Sequence, residues 1–304
     1  MTIQEAKTFG VKKLISSPSK ELDVSVLLQH ILKRDKTYIL FHKDYSLSDA
    51  EEKVFVESLE KRNTGLPVAY ITGHKEFFGY DFTVTPDVLI PKPDTELLVE
   101  KTIEALEEKT AVQGDRIFTV CDMCTGSGCV GLSVFKYIAE NNIIKRDFLP
   151  TLVLADISEK ALNVAKENAA NLLGSAYENN IKFLHSNLFE MTEKRFDIIT
   201  SNPPYVPYKE SLELLKDGRN EPLLALNGDV DFDGNNTNEN TGLGIIRNLV
   251  LQAKEHLNPC GTLLVESGEY NAEETKKIFA NTGFMQTRIY KDLNDQLRVT
   301  AGNI

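Results

Sequence analysis

The feature that most restricts what this chain can fold into is an alternation that begins at Asp94. A helical stretch over 94–109 is followed by the apolar run IFTVC at 117–121, a helix at 129–140, TLVLA at 151–155 and a helix at 158–173. Then come IKFLH at 181–185, FDIIT at 196–200, a helix at 243–257, TLLVE at 262–266 and a helix at 272–281. Short apolar runs separated by helices pack only as a mostly parallel sheet covered on both faces, because each crossover helix must lie against the sheet. TRIY at 287–290 and LRVTAG at 297–302 read as a closing pair of strands. The expected fold class is therefore α/β with a doubly wound sheet.

The segment before Asp94 is different. IQEAKTFGVKKLI, ELDVSVLLQHILK and Ser48 to Lys61 carry helical periodicity, and Ser48 with Glu51 has the spacing of a capping box. Val54, Val56 and Leu59 form the expected apolar face of that third helix. EFFGYDFTVT at 76–85 reads as a hairpin around Gly79, and Pro86, Pro91 and Pro93 punctuate the stretch after it. The expected organisation is a helical domain over 1–75, a hairpin and linker over 76–93, and the α/β domain over 94–304.

Composition narrows the class. No apolar run approaches the ~20 residues of a membrane span, and the start lacks a secretory apolar core, so a cytoplasmic protein is expected. Three of the four cysteines crowd into CDMCTGSGC, which argues against a disulfide framework. The net charge of −11 is uneven: residues 1–75 hold 12 Lys/Arg against 10 Asp/Glu, and the remainder 22 against 35. An acidic body is a poor match for a phosphate backbone, so nucleic acid is not the expected partner. Asp229, Asp231, Asp233 and Gly234 imitate the start of a calcium loop, but position 12 is Asn240 where a bidentate Glu is needed. No metal is expected, and the Asn-rich NNTNEN at 235–240 reads as a solvated insertion.

Chemistry enters at VCDMCTGSGCV. Asp122 stands at a strand end and is followed by Gly126 and Gly128, then a helix. Gly126, Gly128 and Gly131 match a dinucleotide fingerprint literally, but a carboxylate ahead of the glycines would repel a pyrophosphate and welcome a cation such as the sulfonium and ammonium of S-adenosylmethionine. Asp156 ends the next strand, where a carboxylate can accept both ribose hydroxyls; its alternative role is helix N-cap. Asn187 and Leu188, one strand on, stand where an adenine would be flanked.

SNPPYVP, residues 201–207, follows the apolar run FDIIT. An amide nitrogen is a poor nucleophile because its lone pair is delocalised. Two acceptors aimed at its N–H groups, the Asn202 side-chain oxygen and the Pro203 carbonyl, would favour a geometry that turns the lone pair toward a methyl donor. Proline fixes the carbonyl direction and adds no competing donor. Tyr205 could lie against the planar group.

PVAYITGHKEFFGYDFTVTPDVLIPKPDTELLVE, DMCTGSGCVGLSV, SNPPY, EPLLAL, LLVESGE and LRVTAG together resemble the release-factor glutamine methyltransferases, the HemK/PrmC family. The resemblance implies a Rossmann-like class I S-adenosylmethionine-dependent methyltransferase with a helical N-terminal domain that helps hold the substrate. It further implies methylation of the glutamine side chain in the Gly-Gly-Gln loop of a peptide chain release factor. A monomer is expected. By resemblance Asp122, Cys124, Thr125, Gly126, Ser127, Gly128, Asp156, Asn187 and Leu188 contact the cofactor. Asn202, Pro203, Pro204 and Tyr205 hold the glutamine, with Asn202 also touching the cofactor. Lys92 stands where many relatives have arginine and Cys124 where many have glycine. The alternative is an adenine-N6 methyltransferase acting on DNA or RNA, since an exocyclic amine fits the same pincer after base flipping.

Overall fold

A computed structural model describes residues 1–15, 17–237 and 239–304, so Asn238 of the Asn-rich run lies outside the described residues. The chain divides into two compact units: Met1–His74 with Glu213–Asn220, and Lys75–Leu212 with Glu221–Ile304.

The first unit is helical: α1 (Ile3–Lys13), α2 (Lys20–Leu32), α3 (Lys36–Phe41), α4 (Asp49–Asn63) and α5 (Val68–Thr72). Thr2 with Glu5 and Ser48 with Glu51 close capping boxes on α1 and α4, each satisfying backbone donors that a helix start leaves free. The core gathers Ile3, Val24, Leu27, Leu28, Ile39, Phe55 and Leu59. Thus α4 buries Phe55, Ser58 and Leu59, while Val54 of the expected face is 47% exposed. The sequence contains both apolar stripes, and the larger Phe55 takes the inward position. Gly10 lets α1 approach closely, since a Cβ there would stand 2.8 Å from Val24 and 2.9 Å from Phe55. The inclusion of 213–220 was not legible from sequence; Gly65 and Gly218 meet backbone to backbone, and a Cβ on either would lie within 2.0 Å of a carbonyl oxygen of the other's neighbour.

The second unit opens within β1 (His74–Phe77), which forms the hairpin with β2 (Tyr80–Thr83). Phe78 and Gly79 both take positive φ, at 52° and 76°, which is what a two-residue turn of right-twisted strands requires. After a 3₁₀ turn at Pro93–Thr95 come α6 (Glu96–Gln113), β3 (Thr119–Met123), α7 (Cys129–Glu140), β4 (Thr151–Asp156) and α8 (Glu159–Leu173). They are followed by β5 (Ile181–His185), β6 (Phe196–Ser201), α9 (Tyr208–Leu214), α10 (Gly244–Glu255), β7 (Leu257–Glu266), α11 (Glu269–Thr282), β8 (Met285–Lys291) and β9 (Leu297–Asn303). The seven strands lie in the order β5-β4-β3-β6-β7-β9-β8, with β5 through β7 parallel and β9 antiparallel to both its neighbours.

Alternation along the strands feeds two cores. Val120, Leu152, Leu154, Ile198 and Leu264 pack with α6, α7 and α8 on one face. Cys121, Met123, Val153, Ile199, Leu263 and Val265 pack with α10 and α11 on the other. β3 was expected to start at Ile117 and runs instead to Met123, so Asp122 lies inside the strand; Ile117 is 53% exposed while Phe118 is buried. The sheet order reverses at β3, which has β4 on one side and β6 on the other. Ligands in open α/β sheets bind in the crevice beyond the strand ends at such a reversal.

Candidate active site

The loop after β3 is shaped by its backbone. Cys124, Gly126 and Gly128 take φ of 60°, 56° and 81°, in the left-handed region that favours glycine. Thr125 donates its N–H to the Ala155 carbonyl at 3.0 Å, tying the loop to β4. The Asp122 Oδ2 accepts from the Thr125 hydroxyl at 2.6 Å and from the Gly131 N–H at 3.0 Å. Gly131 belongs to α7, where a Cβ would stand 2.6 Å from Leu154 and 3.0 Å from the Asp122 Cβ; its part in the fingerprint is close packing of helix on strand. Asn168 of α8 accepts the Thr83 N–H at 2.7 Å and donates to the Thr83 and Ser127 carbonyls at 3.0 and 2.9 Å, joining the hairpin to the glycine loop.

Asp156 is 9% exposed and accepts the Gly126 N–H on Oδ2 and the Ser158 N–H on Oδ1, both at 2.8 Å. It is not the helix cap: Ser158 caps α8, accepting from the Ala161 N–H. Burial pushes the Asp122 carboxyl up to about 7, against the lowering by its hydrogen bonds to Thr125 and Gly131. Burial likewise raises Asp156. Two buried carboxylates at strand ends, both destabilised by desolvation, suit a ligand bringing positive charge and hydroxyl donors. That is the chemistry of a sulfonium, an ammonium and a ribose, so the residues present fit S-adenosylmethionine.

A cavity of about 460 Å³ lies over these strand ends. It is lined by Asp122, Cys124, Thr125, Gly126, Ser127, Asp156, Asn187, Leu188, Asn202 and Pro204. Gly128, Pro203 and Tyr205 are not in its lining. Leu188 is buried with φ 48°, and the Asn187 amide donates to the Phe232 carbonyl at 2.9 Å. Lys92 lines the cavity too, and so do Phe232 and Thr95, which were not singled out as site residues in the sequence. Lys92 Nζ pairs with the buried Glu221 carboxylate at 2.5 Å, holding the start of EPLLAL at the cavity wall.

The 201–207 segment leaves β6 with the Ser201 hydroxyl on the Met123 carbonyl at 2.6 Å. Asn202 donates through Nδ2 to the Thr95 hydroxyl oxygen at 3.1 Å, which leaves Oδ1 as an acceptor at the cavity. Pro203 is buried. Tyr205 gives its hydroxyl to Glu266 Oε1 at 3.2 Å, and its carbonyl accepts from the Tyr270 hydroxyl and the Asn271 amide, each at 3.2 Å. The ring is thus engaged on the β7 side of the segment. The acidic run serves the same loop: Asp229, fully buried, accepts the N–H groups of Tyr208, Thr241 and Gly242. No cluster able to hold a metal ion is present among the described residues, and all four cysteines are free.

A reversing parallel sheet, a glycine-rich turn after its first strand and carboxylates at the ends of the first two define a class I S-adenosylmethionine-dependent methyltransferase. Family models agree, with the PrmC N-terminal domain matched over residues 5–73 and the methyltransferase small domain over 95–217. A release factor glutamine methyltransferase of Clostridium acetobutylicum is 33% identical over 98% of this chain and 97% of its own length. One of Borreliella burgdorferi is 34% identical over 91% of this chain and 87% of its own. The chain belongs to the release factor glutamine methyltransferase family. Among solved structures, a ribosomal protein L11 methylase from Lactobacillus delbrueckii subsp. bulgaricus aligns with a TM-score of 0.45 and 18% identity, over 72% of this chain and 82% of that one. No helix among the described residues is long and apolar enough to cross a membrane.

Proposed function

We propose that this chain, acting as a cytoplasmic monomer, methylates the side-chain amide nitrogen (N5) of the glutamine in the Gly-Gly-Gln motif of peptide chain release factors. The observation that carries the reading is the Asn202 amide, tied through Nδ2 to Thr95 so that Oδ1 is left as an acceptor at the cavity. The names of the relatives point to the same substrate class. Asn202 Oδ1 and the Pro203 carbonyl accept the two N–H bonds of the glutamine amide, with Pro204 and Tyr205 fixing the segment that presents them. When bound, S-adenosylmethionine supplies an electrophilic methyl group whose sulfur leaves as a neutral thioether. The protein's contribution is orientation and electrostatics; the nitrogen becomes acidic as it gains the methyl group, so no strong base is required. Asp122 and the loop Cys124–Gly128 face the cofactor's charged end, Asp156 its ribose, and Asn187 with Leu188 its adenine. The helical unit over residues 1–75 holds the release factor.

The deciding experiment offers labelled S-adenosylmethionine with an intact release factor of the same organism, duplex and single-stranded DNA, and transfer RNA, at low and moderate salt. One methyl group on the release factor glutamine, abolished when that glutamine is changed, is the expected result. The flanking glycines let that backbone enter a narrow site where side chains would clash. Labelled adenine with an unlabelled release factor would establish the nucleic-acid alternative instead.

A second measurement concerns Asp156. Charge-assisted hydrogen bonds contribute at least about 1.5 kcal/mol, so Asp156→Ala should weaken S-adenosylmethionine binding by roughly tenfold or more by calorimetry. Unchanged affinity with a lowered melting temperature would restrict Asp156 to bracing Gly126 and Ser158.

A further inference from the structure

Thr95 occupies the N-cap position of α6, where a threonine hydroxyl ordinarily accepts a backbone N–H of the first turn. Here it makes no cap bond. The residue is 2% exposed, and its hydroxyl oxygen accepts instead from Asn202 Nδ2 at 3.1 Å. An oxygen that accepts from the amide still has one hydrogen to give. Beside it is Glu266, the last residue of β7, 1% exposed, with Oε2 buried and unmatched and Oε1 receiving the Tyr205 hydroxyl. Thr95 is a neighbour of that carboxyl, without a closed hydrogen bond to it. An ionised carboxylate only accepts. Turned toward that carboxylate, the Thr95 hydroxyl would give its hydrogen to Glu266 and keep its oxygen for the Asn202 NH₂, the orientation that the Asn202–Thr95 bond has.

We propose that Thr95 and Glu266 are positioning residues for methyl transfer: the carboxylate sets the direction of the Thr95 hydroxyl, and that hydroxyl holds Asn202 with its oxygen toward the substrate amide. This rests on the proposed glutamine methylation. The two ends of an asparagine amide have nearly the same shape, so packing alone does not choose between them. The wrong choice would aim N–H donors at the N–H groups of the substrate.

The arrangement carries a pH signature. Burial pushes Glu266 up to about 7, opposed by Thr95, Arg298 and Tyr205 and reinforced by Asp94; the carboxylate's charge in turn acts on the Cys129 thiol. A protonated Glu266 can donate to Thr95, whose hydrogen then turns to Asn202 Oδ1 and reverses the amide. Activity should therefore fall as pH drops through neutrality.

The test uses the full chain with an intact release factor and S-adenosylmethionine. Thr95→Val keeps the volume and removes the hydroxyl, and should lower kcat by roughly 10- to 10²-fold, as for loss of a preorganised polar group. Cofactor affinity and melting temperature should hold. Thr95→Ser should recover most of the loss, and Glu266→Gln should remove the acid limb of the kcat profile. A Thr95→Val enzyme as active as the native one would overturn the inference, as would Thr95→Ser impaired equally with Thr95→Val, which would mark the methyl group as the part that matters. A native chain that leaves the release factor unmodified would overturn the functional reading, and this inference with it.

Discussion

Replacing Asn202 by alanine is expected to lower methyl transfer by roughly 10²-fold or more, the scale of losing one preorganised polar group at a reacting centre. The loss should fall on turnover. Among the described residues the Asn202 side chain hydrogen-bonds to Thr95 alone, and its truncation leaves that hydroxyl free to keep its place beside Glu266. The glycine loop and Asp156 are held by bonds of their own, to Gly126, Ser158, Thr125 and Gly131, none of which involves Asn202. S-Adenosylmethionine affinity measured by calorimetry should therefore stay near native while kcat collapses. Asn202→Asp separates shape from polarity. It keeps an acceptor at the cavity but sets a carboxylate oxygen where Nδ2 now donates to Thr95, so it too should be impaired. Native turnover in the alanine variant would remove the pincer from the mechanism.

The α/β unit was legible because its central strands are short apolar runs whose residues are buried on both faces. IKFLH and the helix at 129–140 were read with the bounds observed, and TLVLA and FDIIT extend by one residue each. Three short helices, α3, α5 and α9, were missed; segments of five to seven residues complete too few turns for a periodic signal to stand out. β7 begins at Leu257, five residues before the expected TLLVE, because Leu257 pairs with Phe196 ahead of an irregularity in the ladder. Pro259 and Gly261 disguise that extension in the sequence. At the cavity, residues adjacent to glycines, prolines and strand ends could be read. Thr95 could not, since it lies over a hundred positions before Asn202 and only the sheet brings them together. A Thr after Pro-Asp reads as a helix start, and the missing cap bond is visible only in three dimensions.

Asp229 offers the second large effect, one whose role its sequence setting conceals. As the first of three alternating aspartates it imitates a calcium ligand, yet its carboxylate is engaged by backbone. Oδ2 accepts the Tyr208 N–H at 2.9 Å, and Oδ1 accepts those of Thr241 and Gly242 at 2.9 and 2.7 Å. These bonds close the loop that runs from the SNPPYVP segment to the start of α10. The closure is tight: Gly242 sits at φ 73°, and a Cβ there would lie 2.0 Å from the Tyr205 carbonyl oxygen. Asp229→Ala would leave three N–H groups without their acceptor, at about 1 to 3 kcal/mol for each that stays buried. Partial relaxation and water entry reduce the sum, so a loss of about 3 kcal/mol is expected. Asp233, exposed at the outer end of the same run, should change stability by no more than about 0.5 kcal/mol when replaced by alanine. The chain has no tryptophan, so urea unfolding followed by far-ultraviolet circular dichroism is the suitable measurement. Turnover should fall along with stability in Asp229→Ala, because the loop that fixes the Tyr205 carbonyl loosens, and added calcium should restore neither. Equal small effects at Asp229 and Asp233, or a calcium-dependent rise in the native midpoint, would return the run to the status of a cation loop.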